Sequence, residues 1–278
     1  MNHDNKDSLI MVSYVFNEMM KIMRNFDSIK ARGEACESRS KGGTMKTGET
    51  LIGVLVLVLM MTSCTTSTTG VKSDSIAESP PALLMGTKFV YQTKDVESGK
   101  NYIETWVLRE IKKYEKEIAY WFDFYQMDPS ASKEKRYTIE ETPILDLNLN
   151  YLATFRNGKL FQSASPKAAH FSWPLKIGKS WKSTFDYINH ANGQVLKDVK
   201  TSSKVGSYEE VKVPAGTFKI YKINEEVIYP NGISHEGSIY YAPSLGFNVK
   251  YEWRLREYKD GPVTRLNVEL LEYSLPKK

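Results

Sequence analysis

Three histidines, His170, His190 and His235, are the side chains after Cys64 best suited to acid–base or metal chemistry. No two of them stand at a metal-ligand spacing such as His-x-His or His-x-x-x-His, so a zinc site would have to be assembled by folding. The serines lack the Gly-x-Ser-x-Gly elbow of a hydrolase nucleophile. A hydrolase whose site is built from distant residues, around one of these histidines and a nearby acid, is therefore our third hypothesis.

Three adjacent pairs of acids could in principle supply the two carboxylates of a glycosidase: Glu140-Glu141, Glu209-Glu210 and Glu225-Glu226. Neighbouring residues of a β-strand point to opposite faces, so none of these pairs forms a carboxylate dyad by itself. We interpret them as solvated charges at strand edges. No Gly-rich phosphate loop is present either. The sequence predicts a protein that is not an enzyme and that holds no cofactor or metal.

Cys64 is the residue for which chemistry is predicted most directly. An apolar run of eleven residues from Leu51 to Met61 follows Met45-Lys46 and precedes Thr62-Ser63-Cys64. The run is too short to span a bilayer, which needs about 20 apolar residues, but it has the length of a signal-peptide core. It resembles a bacterial lipobox, and this resemblance implies cleavage before Cys64 and lipidation of its thiol.

The segments around this signal suggest a domain plan. Residues 1–44 are interpreted as an extension that is untranslated, with Met45 as the start, or disordered. Residues 45–63 are the signal peptide, 64–85 are the lipidated cysteine and a flexible Ser/Thr/Pro-rich linker, and 86–278 are a single β domain. No acidic residue directly follows Cys64, so by analogy with sorted lipoproteins we expect an outer-membrane anchor facing the periplasm of a bacterial envelope.

Charge and cysteine content exclude other classes. The formal net charge is only +5, and the signs are interleaved, as in Lys133-Glu134-Lys135-Arg136, which is typical of a solvated surface rather than a nucleic-acid site. The two cysteines are Cys36 and Cys64. A disulfide within the exported domain is therefore not expected.

Alternating, aromatic-rich runs from Thr87 to Tyr273 predict β-strands throughout the domain. Four dipeptides mark turns that require positive φ, and they are Asn157-Gly158, Asn192-Gly193, Asn231-Gly232 and Asp260-Gly261. Short helices are predicted only at Ser79–Met85 and Pro143–Leu152. We expect a mainly β fold: ten or eleven strands in an antiparallel meander forming a curved sheet, half-barrel or barrel, with at most one or two short helices.

The run Val213-Pro214-Ala215-Gly216-Thr217-Phe218 predicts a tight hairpin, with Pro214 at its first corner and positive φ at Gly216. It resembles the signature of exported and lipid-anchored bacterial proteins grouped under the TapB name. Two further segments agree with that pattern, Pro174–Trp181 and Tyr240–Lys250. The resemblance implies a curved β-sheet domain at the cell envelope and no particular activity.

Aromatic residues make up 12% of the chain, and they carry the functional prediction. Trp106, Trp121 and Trp181 are candidates for lining a site for an apolar ligand. Along one strand Tyr120, Phe122 and Phe124 share a face opposite Trp121, so at least one face is buried against a second layer or a ligand. The same aromatic residues could instead fill a core.

Our leading hypothesis is a membrane-anchored periplasmic lipoprotein that acts as a non-catalytic binding or envelope-maintenance module. Its partners would be the membrane, through Cys64, and an apolar small molecule or an envelope protein, but not nucleic acid. The second hypothesis is a structural or assembly subunit of an envelope complex, with a filled core and a large exposed apolar patch.

Overall fold

The computed structural model describes residues 76–130, 137–230, 232–256 and 261–277, with the backbone alone for 137–140. The predicted extension, signal peptide and lipidation site at Cys64 lie outside the described residues. So do the first residues of the linker and parts of the predicted turns at Asn231-Gly232 and Asp260-Gly261. Within the described part no helix is long and apolar enough to cross a membrane.

Twelve antiparallel strands form the described fold. They are β1 (Lys88–Asp95), β2 (Asn101–Tyr114), β3 (Glu117–Met127), β4 (Tyr137–Asp146), β5 (Tyr151–Arg156), β6 (Lys159–Ala168), β7 (Ser180–Asn189), β8 (Gln194–Val213), β9 (Gly216–Ile228), β10 (Ser234–Ala242), β11 (Phe247–Arg256) and β12 (Val263–Ser274).

Each strand pairs with its sequence neighbours, and β1 also pairs with β12, so the sheet closes into a barrel. Closure satisfies the backbone groups that an open meander would leave at its edges. Alternation along the strands then separates an inner apolar face from an outer polar one, as in β9, where buried and exposed residues alternate toward its end. The predicted antiparallel meander is confirmed, in its fully closed form.

The turn chemistry explains where strands meet. Asn157 and Gly158 both have positive φ, at 51° and 71°, and join β5 to β6 in a two-residue hairpin. Gly216, with φ of 138°, pairs with Val213 across the Pro214-Ala215 turn. Both hairpins were predicted from their residues.

The two predicted helices were wrong. Residues 143–146 end β4, and the following turn is held by the Asp146 carboxylate, which accepts hydrogen bonds from the backbone N–H groups of Asn148 and Asn150 at 2.8 Å each. This local capping replaces helical hydrogen bonds. Residues 79–85 contain Pro80 and Pro81 and form no helix, because a proline disfavours the helical conformation of the residue before it.

The segment before β1 packs against the barrel, although the sequence places it in the linker. Leu83 is buried, and its backbone N–H donates to the Tyr120 hydroxyl at 3.3 Å. Ala77 forms a two-way backbone bridge with Leu175, in the connection between β6 and β7. These two segments contribute Leu83, Phe171 and Leu175 to the same buried core as the barrel strands.

Candidate functional site

A partly enclosed cavity of about 200 Å³ lies inside the barrel. Its lining is mostly apolar and aromatic, and its polar members include two carboxyl groups, an amide and an imidazole. The lining residues used below are Tyr91, Glu104, Trp106, Asn248, Tyr251 and Val268. They come from β1, β2, β11 and β12, which are consecutive in the closed sheet.

Packed aromatic rings shape one part of this interior. The Trp106 ring lies 5.0 Å from Phe124 and 5.8 Å from Phe122, both edge-to-face, and Phe89 stacks on Phe247 at 4.6 Å between ring centroids. Such edge-to-face and offset pairs are favourable beyond their burial. We call Phe89, Trp106, Phe122 and Phe247 the aromatic cluster.

Glu104 lies beside this cluster because β2 alternates. Its neighbours on the inward face are Tyr102 and Trp106, and all three are wholly or largely buried. The Glu104 carboxyl accepts a hydrogen bond from the Thr93 hydroxyl at 2.7 Å. Burial raises the pKa of Glu104 to about 7, although hydrogen bonds from Thr93 and Trp106 oppose the rise.

Asn248 brings a second polar group to the cavity. A register shift in the β10–β11 pairing falls between Tyr241↔Asn248 and Tyr240↔Lys250, and such a bulge re-aims side chains, so Phe247 and Asn248 both line the cavity. The Asn248 amide nitrogen donates to the Tyr251 hydroxyl at 2.6 Å. Its Oδ1 is buried and has no hydrogen-bond partner in the described part of the chain.

Two ion pairs occupy another part of the interior, and we call Glu141, Arg156, His170 and Glu225 the ion-pair cluster. Arg156 donates from Nε to Glu141 at 2.8 Å. His170 Nδ1 lies 3.0 Å from Glu225, which also accepts from the Ser203 hydroxyl at 3.1 Å. The expectation that the paired acids are solvated was therefore wrong for Glu141 and Glu225, because alternation turns one member of each pair inward.

The electrostatics of the two pairs differ. Burial raises the pKa of Glu141, and the facing Arg156 charge only partly offsets this. Burial alone would lower the pKa of His170, but the Glu225 carboxylate outweighs it, so the pKa of His170 is raised.

None of the three histidines is in a hydrolytic triad among the described residues. His170 faces an acid, but Ser203 bonds to that acid rather than to the imidazole. His190 Nε2 lies 2.9 Å from the Ser163 hydroxyl on the exposed surface. His235 is buried with both ring nitrogens unpartnered, and burial lowers its pKa to about 4. In the described part no three His, Cys, Asp or Glu side chains group as metal ligands.

The three tryptophans predicted to line one site line three different concavities. Trp106 lines the interior cavity. Trp181 lines a mainly polar groove of about 1100 Å³ along β7 to β12. Trp121 points outward and lines a cleft of about 420 Å³ with Phe155. Of these three tryptophans, only Trp106 lines the barrel cavity.

Sequence reasoning missed Glu104 and Asn248. For Glu104 the signal was present, because a charged residue at every-second-residue spacing between Tyr102 and Trp106 must share their face. Asn248 offered no such signal, since a bulge decides which way its side chain points.

Comparisons with known proteins find solved structures that are similar to this chain at low sequence identity. No protein-family model matches the chain, and no curated protein matches it. A solved structure from Bacteroides fragilis, described as an exported protein with a YmcC-like fold, is 15% identical and covers 72% of this chain and 100% of its own, with a TM-score of 0.44.

Two further solved structures are similar. One, described as a lipoprotein from Parabacteroides distasonis, is 16% identical and covers 73% of this chain and 100% of its own, with a TM-score of 0.37. The other is the hypothetical lipoprotein YmcC from Escherichia coli K12, at 9% identity, 70% and 90% coverage and a TM-score of 0.34. At these values the function has to be argued from this chain's own residues.

Proposed function

We propose that this chain is a lipid-anchored protein of the bacterial cell envelope whose barrel binds an apolar small molecule in its interior, without catalysing a reaction. The sequence around Cys64 supports the anchor, and the absence of an acidic residue directly after Cys64 supports an outer-membrane address facing the periplasm. The interior cavity supports the binding role.

The observation that carries the binding role is the unfilled space beside the aromatic cluster. Protein interiors are close-packed, and empty cavities lower stability. A dry cavity of about 150 Å³ is large enough to bind benzene, and the cavity here measures about 200 Å³. It has room for an aromatic ring with a short substituent.

The binding role is tested by filling the cavity. Val268 is buried and lines it, whereas Val195 is 44% exposed on the surface. We expect ethylbenzene to raise the thermal unfolding midpoint of the wild-type protein and of Val195→Phe, but not that of Val268→Phe. Saturation at 100 times Kd corresponds to about 2.7 kcal/mol of stabilisation. Equal effects on both variants, or none on the wild type, would contradict the proposal.

The anchor is tested separately by Cys64→Ser in a bacterial host. We expect the wild-type protein to be cleaved and to lie in the membrane fraction. The variant should be either soluble or present as the larger, uncleaved precursor, because the thioether can form only on cysteine. Release of both proteins into the soluble fraction would argue against lipidation at this residue.

One observation favours the alternative of an assembly subunit. On the outer face, partly exposed Tyr114, Trp121, Phe155 and Leu160 pack over buried Ile144 and its neighbours. Partly exposed apolar groups of this kind occur at protein interfaces. Photocrosslinking from position 121 in cells would support this alternative if one envelope protein is captured reproducibly and ethylbenzene does not bind.

A further inference from the structure

Two residues that line the cavity beside the aromatic cluster, Glu104 and Asn248, carry buried hydrogen-bond acceptors. Glu104 is buried and receives hydrogen bonds only from neutral side chains, those of Thr93 and Trp106. Among the described residues, no basic side chain contributes to holding it charged. Asn248 Oδ1 is a second buried acceptor and has no partner.

Tyr91 connects these two acceptors. It pairs with Glu104 across the β1–β2 ladder, and its hydroxyl donates to the backbone carbonyl of Asn248 at 2.7 Å. Both acceptors therefore belong to one polar region of the cavity wall. The Tyr91 hydroxyl and the Asn248 amide nitrogen both donate within the protein, to the Asn248 carbonyl and to the Tyr251 hydroxyl.

Glu104 differs from the two other buried glutamates of the described chain. Glu141 is paired with Arg156, and Glu225 with His170 and Ser203. A buried carboxylate without a cationic partner is unfavourable. A cation that arrives with a ligand would remove that penalty.

We propose that the ligand is an apolar primary amine, whose ammonium group binds the Glu104 carboxylate beside Asn248 and whose apolar body lies along Trp106 and Phe247. This inference rests on the proposed binding function and names its ligand class. An ammonium group has three N–H donors for these acceptors, whereas a hydroxyl has one. A carboxylate ligand would be repelled by Glu104 once that group is ionised.

The binding should depend on pH. Glu104 has a pKa raised to about 7 by burial, so it is ionised at pH 8 and protonated at pH 5.5 in the empty barrel. The titratable groups that act on it are the phenols of Tyr91 and Tyr251, whose own pKa values burial raises, so they stay neutral. His170 and Glu141 also line the cavity but are already paired. We expect amine affinity to fall about tenfold per pH unit below 7.

Three probes of nearly equal shape test the inference by calorimetry on the full chain at pH 8: benzylamine, benzyl alcohol and ethylbenzene. We expect benzylamine to bind at least about tenfold tighter than ethylbenzene, as a charge-assisted hydrogen bond is stronger than a neutral contact, with benzyl alcohol between them. Glu104→Gln should abolish this preference. Glu236→Gln, a control at a side chain that is 63% exposed, should keep it.

The outcomes separate the inference from the proposed function. If benzylamine and ethylbenzene bind equally, or if the preference survives in Glu104→Gln, the amine assignment is overturned while the apolar cavity stands. If none of the probes binds, both are overturned. Should Glu104→Gln fail to fold, the wild-type pH profile decides: benzylamine affinity that is flat from pH 5.5 to 8 overturns the inference.

Discussion

The aromatic cluster and the ion-pair cluster fill the same barrel by different interactions. Phe89, Phe122 and Phe247 are stabilised by burial and ring contacts, which depend on shape. Arg156 and His170 instead neutralise buried acids. Removing either side chain would destabilise the fold chiefly because the acid it faces would be left buried and unpaired. Glu104 differs from both groups: it is a buried acid like Glu141 and Glu225, but it lies beside the aromatic rings and has no cationic partner among the described residues.

Strand β10 lies between β9, which carries Glu225, and β11, which carries Phe247. We expect the largest loss of stability from a substitution in this strand. Gly237 of β10 pairs with Glu225 on one side and Trp253 on the other. A Cβ there would lie 2.1 Å from the Glu252 carbonyl oxygen and 2.7 Å from the Trp253 ring. We expect Gly237→Ala to lower the free energy of unfolding by more than about 3 kcal/mol, measured by urea denaturation.

Gly206→Ala is the matched control for this substitution. It lies in the β8 bulge, and its added Cβ would meet the Asn224 side chain at 3.1 Å rather than backbone. We expect a loss below about 1 kcal/mol, since a side chain can move aside. Equal stability of the two variants would show that β10 and β11 are not held together closely at Gly237.

The next largest effect concerns the ion-pair cluster. Arg156→Met leaves Glu141 buried without its partner, and we expect a loss of about 3 kcal/mol at pH 7.5. The double variant Glu141→Leu/Arg156→Met should recover most of this loss, because it removes the stranded charge as well. Urea denaturation of the three proteins measures both steps, and a double variant as unstable as the single one would assign the effect to lost packing.

The smallest expected effect is the pH dependence of the His170–Glu225 pair. Because the pKa of His170 is raised above its usual 6.5, its stabilisation is fully present below pH 6.5 and declines as pH rises through the raised pKa. His170→Gln should therefore lower the free energy of unfolding by about 1 kcal/mol more at pH 5.5 than at pH 9. His190→Gln, on the exposed surface, is the control. A pH-independent loss would mean that His170 acts by packing alone.

Particular residues show how far the sequence could be interpreted. Alternation from Tyr120 to Phe124 predicted one buried aromatic face, and Asn157-Gly158 predicted a hairpin; both are present. Gly206 forms a bulge within the long strand β8, which continues through it to Val213. Leu145, Leu149 and Leu152 recur at helical spacing, and this spacing suggested a helix. A turn between two strands can return apolar residues at the same interval, and that is what the structure has here.

The candidate site could be predicted less well from the sequence than the strands could. Trp106 lines the interior cavity, whereas Trp121 and Trp181, which the sequence analysis grouped with it, line other concavities. Pairing partners more than a dozen residues apart decide these positions. Spacing along one strand predicts which of its residues share a face, but it does not predict which other strands contribute residues to the same cavity.

Local chemistry along the chain therefore determined the strands, several of the turns and the mainly β class, because alternation and positive-φ residues act within a few positions. It also carries the predicted signal and anchor at Cys64. Only the tertiary structure decided that β1 closes on β12, that Glu141 meets Arg156, and that Glu104 and Asn248 face one cavity. Those outcomes depend on contacts between distant strands and on bulges that shift their register, and a linear pattern does not encode either.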